Sequence, residues 1–259
     1  IGPINERYPG FEERTVSRKQ IWCYIGGVLI MAVALGPPFH DWADYFLLSA
    51  HMTQHLILML ITAPLMLLGI PAWFFNPITA RPRLDRIGAF LFKPVVSYLI
   101  ANVIMVAWHL PILYNAALEN PTLHGLQHQA FLISGIFSWW AIIAPNPRWD
   151  TISPLIKGFL LFAAGLPGMV VGAMLTLAAP GVYSFYDTAP RLWGFSLQDD
   201  QELAGGMMWS LVPLVYLGAL SVVFLRYATR EQAKDLATPS QRSPEGAQAP
   251  STPVGHSGS

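Results

Sequence analysis

Long apolar runs, broken by short stretches of proline, charge and aromatic residues, dominate this chain. Six runs stand out: residues 21–36, closed by Pro37-Pro38; 45–70; 94–110; 122–144; 158–178; and 201–225. A helix needs about 20 predominantly apolar residues to cross a bilayer. The pattern therefore predicts an all-α, polytopic transmembrane helix bundle with six spans in this chain. Pro64 inside the second run is a kink point, and the Gly- and Ala-rich fifth run suits close helix packing. Residues 1–20 read as a polar N-terminal cytoplasmic segment and 21–230 as the transmembrane helical domain. Residues 231–259, rich in Pro, Ser, Gly, Gln and Ala toward the end, read as a disordered cytoplasmic tail. The two His-x-x-x-His pairs have unlike flanks, so no internal repeat is read from them.

Composition agrees with the run pattern. The chain has 259 residues, 53% hydrophobic and 12% charged, against about 25% charged in an ordinary soluble domain. Its formal net charge is zero, which offers no electrostatic footprint for nucleic acid. The single cysteine, Cys23, excludes an internal disulfide framework and a Cys-rich metal cage.

Charge sets an expected topology. Residues 71–93 carry Arg81, Arg83, Arg86 and Lys93 against Asp85. Residues 146–157 carry Arg148 and Lys157, and Arg226 and Arg230 follow the last run. The positive-inside rule puts these stretches in the cytoplasm. Trp139 and Trp140 then read as an interfacial aromatic belt.

The histidines give the chain its candidate chemistry. His51 and His55 lie four residues apart on one helix face of the second run, and His124 and His128 do the same in the fourth. With the basic stretches inside, His51 and His55 fall roughly 9 and 15 Å below the outer surface at about 1.5 Å per residue. His109 ends the third run on the same side, and His40 reads as a residue of the first outer loop. Asp199, Asp200 and Glu202 open the sixth run there too. Ionisable groups inside a membrane are costly and mark functional sites. Imidazole suits Zn, Cu, Fe and Ni, and thioether sulfur selects Cu(I). Met52 and Met59 share a face with His55, and Met207 and Met208 lie less than two turns beyond Glu202, so a mixed His/Met site would accept Cu(I). Blander readings stand beside these: one His-x-x-x-His is a weak motif, methionine at helical spacing is ordinarily packing, and Asp200 reads as an N-cap of the sixth helix.

Four motifs in order resemble a known family. They are Ser49-Ala50-His51-Met52-x-Gln54-His55 with Pro64-Leu65-x-Leu67-Leu68-Gly69-x-Pro71; Trp108-His109-x-Pro111-x-x-Tyr114-x-x-Ala117-Leu118; His124-x-x-x-His128; and Asp200-Gln201-x-x-Ala204-Gly205-Gly206-x-Met208-Trp209. Over residues 8–226 they resemble the CtaG family of cytochrome c oxidase assembly factors, the caa3 type. The resemblance implies a multi-pass protein of the bacterial inner (plasma) membrane, not an enzyme, that acts on cytochrome c oxidase subunits. It also implies copper handling, and a seventh span ahead of the first basic segment. On it, the metal set is His51, His55, His109, His124 and His128, with Asp200 orienting a histidine from the second shell and Met52 and Met208 as further ligands. The alternatives are a b-type cytochrome with paired histidines on haem, and a non-metal accessory subunit bound permanently to the oxidase complex.

Overall fold

The computed structural model describes residues 15–150 and 152–237, and every regular element among them is helical. The expectations for residues 1–14 and 238–259 lie outside the described residues. The chain up to Phe224 is one compact unit, and Leu225 onward belongs to a second.

The first helix, α1 (Arg18–Ala34), starts three residues before the first apolar run because Ser17 and Gln20 form a capping box. A short α2 (Phe39–Tyr45) follows. The second run becomes α3 (Leu48–Ile57), a π-helical turn (Leu58–Thr62) and α4 (Ala63–Gly69) in unbroken succession. The basic stretch folds into α5 (Asn76–Thr79) and α6 (Pro82–Leu91). Then come α7 (Pro94–Trp108), α8 (Pro111–Glu119), α9 (Pro121–Ile143), α10 (Pro154–Leu177) and α11 (Leu197–Ala237). Proline opens each helix from α6 to α10, where its missing N–H costs nothing and its fixed φ is already helical. The end of α11 is a correction: residues 231–237 are helical, where the sequence reading placed the start of a disordered tail.

The span count also changes. Three helical stretches are long and apolar enough to cross a membrane: Leu48–Gly69, Ile156–Leu177 and Leu197–Ala233. Two bent pairs, α1 with α2 at 48° and α6 with α7 at 67°, raise the number to five at most. The expected sixth is α9, which has the length but carries His124, Gln127, His128, Gln129, Ser134 and Ser138 along it. Its polar residues His124, Gln127, His128 and Ser134 are buried against protein. By contrast, α10 exposes Phe159, Phe162, Leu166, Val170 and Met174, an apolar stripe that water would not tolerate.

The π turn has an identifiable cause. In the widened ladder Ala63 N–H bonds to Leu58 C=O, five residues back. The next residue, Pro64, has no N–H to give, so Met59 C=O loses its partner. Trp139 supplies one: its indole Nε1–H donates to Met59 O at 3.0 Å. At Gly135 α9 comes so close that an added Cβ would lie 2.8 Å from both Met59 Cα and Ala63 Cβ. Trp139 and Trp140 are therefore core residues, 6% and 3% exposed, and not an interfacial belt. Trp140 stacks on Phe92 at 3.6 Å between ring centroids.

At the basic connections Arg148 pairs with Asp85 at 2.9 Å, and Trp149 Nε1–H donates to the other oxygen of the same carboxylate at 3.0 Å. The two stretches assigned to one side of the membrane thus meet. Replacing Trp139 with Phe keeps an aromatic ring but strands Met59 C=O. The expected loss is about 1–3 kcal/mol, read as a lower midpoint in thermal unfolding of the detergent-solubilised protein; an unchanged midpoint would show that the carbonyl has another partner.

Candidate metal centre

The site begins with the start of α3. Leu47 precedes this helix and gives it no side-chain cap, so its first N–H groups need an acceptor from elsewhere. Asp200 provides it: Oδ2 accepts from Leu48 N–H at 2.8 Å and Oδ1 from Ser49 N–H at 3.0 Å. The carboxylate is fully buried. The expectation that Asp200 caps its own helix or orients a histidine is therefore corrected, because both oxygens are committed to the backbone of α3. The start of α11 is capped instead by Ser196 and Asp199, which exchange side-chain-to-backbone bonds at 3.1 Å each.

Next to it, Gln201 works in the same way on two other segments. Its Nε2 donates to Leu175, Ala178 and Ala179 carbonyls at the end of α10, and its Oε1 accepts from Val182 N–H at 3.1 Å.

With α3 fixed, its two histidines face those of α9. Ring centroids lie 4.4 Å apart within each pair, 5.0 Å between His51 and His124, and 5.5 Å between His55 and His128. All four are buried. One ligand atom from each of His51, His55 and His128 falls within 4.8 Å of the other two, and the same holds for Asp44, His51 and His124. Two three-residue ligand groups thus share His51.

The hydrogen bonds fix which nitrogen is free. Tyr186 gives its hydroxyl proton to Ala43 O at 2.7 Å. Burial, and then the Asp44 carboxylate, hold the Tyr186 hydroxyl well above its ordinary pKa, so the proton stays. His51 Nδ1, 3.0 Å from that oxygen, must then be the donor. His124 Nδ1 faces Asp44 Oδ2 at 3.3 Å, and His109 Nδ1 faces Met105 O at 2.7 Å; both oxygens only accept. All three rings are therefore Nδ1–H tautomers, assigned from their partners. Each Nε2 carries a lone pair that is buried and has no partner, and His55 has none on either nitrogen. A buried orphan acceptor calls for an explanation. Bound metal would account for those of the two histidine groups on α3 and α9, since metal-bound histidines characteristically donate their other N–H to a carboxylate or carbonyl. The residues therefore fit a metal.

The remaining expected residues separate. His40 has both nitrogens occupied, by Asp44 at 3.3 Å and by Gln54 at 3.2 Å, and stands beside the cluster. His109 belongs to neither ligand group, its ring 6.3 Å from His55. Met52 and Met208 pack with Tyr114, Tyr183 and Tyr186 and line a cavity with His55 and His109. Sequence reasoning passed over Asp44 as a partner of histidine, although its i,i+4 spacing from His40 was a usable signal. Tyr186 left no signal beyond its place in an aromatic loop.

Comparison with known proteins gives one family: the profile of the cytochrome c oxidase caa3 assembly factor matches residues 2–230. Curated relatives include uncharacterised proteins of Mycobacterium bovis and Mycobacterium tuberculosis, each 25% identical over 200 residues, 71% of this chain and 30% of that protein. A third, from Mycobacterium leprae, is 23% identical over 199 residues, 71% of this chain and 30% of that protein. The chain thus aligns with less than a third of the length of these relatives, 30% in each. No solved structure gives a significant match.

Removing the cap tests the frame of the site. Asp200→Ala should destabilise by about 1–2 kcal/mol and speed amide hydrogen exchange in residues 48–52 while leaving α10 protected. Uniform acceleration through both helices would mean that Asp200 does not act locally on α3.

Proposed function

This chain belongs to the cytochrome c oxidase caa3 assembly factor family, and from that membership we propose that it binds copper as cargo for a haem–copper oxidase. In this reading the bundle sits in the bacterial plasma membrane with its basic connections in the cytoplasm. Copper is held toward the outer face and passed to oxidase subunits. α9 crosses with the other helices, its histidines screened from lipid by its neighbours.

The observation that carries the reading is the set of buried, unpartnered imidazole nitrogens on α3 and α9. His51, His55 and His128 would hold the ion, with Asp44 and His124 adjoining through the shared His51. Tyr186 and Asp44 would hold rings in the ligating tautomer. Imidazole donors suit Cu, Zn, Fe and Ni; the family's client, a copper-containing oxidase, narrows the choice. For the rings of α3 and α9 the haem alternative is disfavoured by spacing, because centroids 4.4–5.6 Å apart leave no room for a macrocycle between them.

His55→Ala and His128→Ala should each remove most of the copper that the histidine cluster holds in the purified protein. The double variant should be little worse than either, since ligands of one ion are not additive. Asp44→Asn should weaken binding by about 10–100-fold, the usual cost of a lost outer partner. In cells, deletion should lower active oxidase without lowering its transcript. If both histidine variants carry copper like the wild type, the metal reading falls. These residues would then serve as a polar interface to an oxidase subunit.

A further inference from the structure

The methionines tell against a single mixed site. A cavity of about 30 Å³ lies beside the histidine cluster, larger than the 10–15 Å³ or so that one water needs. Met52, Met59, Met105 and Met208 line it together with His55 and His109. The four methionines come from three helical stretches: Met52 and Met59 from the continuous α3 and π turn, Met105 from α7 and Met208 from α11. Helical periodicity along one element cannot produce that convergence.

Two imidazoles supply unpartnered nitrogen to the cavity wall. His109 is 7% exposed and its Nδ1–H is committed to Met105 O, which leaves Nε2 as a free acceptor. His55 is 2% exposed and lies between the two regions, 5.5 Å from the His128 ring and 6.3 Å from the His109 ring. None of the described residues lining the cavity is a carboxylate.

We propose that this cavity is a second site, selective for a monovalent soft cation, in which His109 and the surrounding methionine thioethers bind Cu(I). Thioether sulfur selects Cu(I) over divalent ions. A single charge is also cheaper to desolvate in an apolar wall than a double one, since ion solvation energy grows with the square of charge. The histidine cluster, with Asp44 at its edge, accepts borderline divalent ions, so the two sites differ in softness. His55 borders both, and Cu(I), which imidazole also binds, can pass between them by ligand exchange at that ring with no change of oxidation state. The proposal rests on the copper reading for its cargo, but its chemistry is tested separately.

The test uses the full chain in detergent, in a Cys23→Ser background so that the one thiol does not compete. Ag(I) probes soft sites without redox change, and Co(II) reports the histidine cluster by its visible spectrum. Wild type should bind two equivalents of Ag(I). The volume-conserving M59L/M105L variant should lose one of them, or weaken it by about tenfold or more, at least the cost of removing an outer-shell partner. Its Co(II) spectrum should be unchanged. Ag(I) binding by that variant equal to wild type, or none by wild type, overturns the soft site. Failure of wild type to bind Co(II), with a single Ag(I) equivalent that M59L/M105L loses, would instead sink the histidine-cluster reading alone. X-ray absorption on wild type loaded with two equivalents of Cu(I) needs no variant: sulfur neighbours are expected, and nitrogen and oxygen alone overturn the proposal.

Discussion

A buried carboxylate at the start of a helix that has no cap of its own holds this structure's centre together. Asp200 accepts two backbone N–H bonds from α3, and its charge meets the positive end of that helix. Breaking it would leave a buried charge and two orphan donors, each costly. The neighbouring Gln201 closes the end of α10 and holds Val182. One turn of α11 therefore registers two other helices and the aromatic loop that brings Tyr186 to His51. The ring geometry of the histidine cluster follows from that turn.

The π turn works on the same helix from the other side. Its ladder is widened at Leu58–Thr62, and π turns recur where an element must present functional side chains off the regular register. Here Pro64 removes a donor, Trp139 satisfies the freed carbonyl, and Gly135 admits the close approach of α9. The local irregularity and the tight packing of α9 on the π turn and the start of α4 belong to one arrangement, joined by the Trp139–Met59 hydrogen bond.

Much of this was legible in the residues. The four-residue spacing of the histidine pairs put each on one face, and the charge pattern brought both pairs to one side before any fold was known. The all-helical class followed from run lengths. What was not legible depended on tertiary partners. Asp200 looked like a cap for its own helix because capping is read locally, whereas its acceptors serve a helix about 150 residues earlier in the chain, at Leu48 and Ser49. Trp139 and Trp140 looked interfacial because tryptophan near a run's end usually is, yet a carbonyl freed elsewhere drew one of them inside. The sixth span failed as an apolar segment for the same reason that α9 matters: its polar residues are buried in protein.

The tautomer assignments carry a thermodynamic consequence for any ion that enters. His51, His109 and His124 already hold their rings through Nδ1 and already present a bare lone pair at Nε2. Loading would leave these Nδ1 hydrogen bonds in place and freeze little side-chain freedom, so the entropic toll that flexible ligands impose on association is largely settled during folding. A receptacle prepared in this way would gain affinity from avoided reorganisation. Its selectivity between ions then falls to donor type, which the fold keeps apart on the two sides of His55.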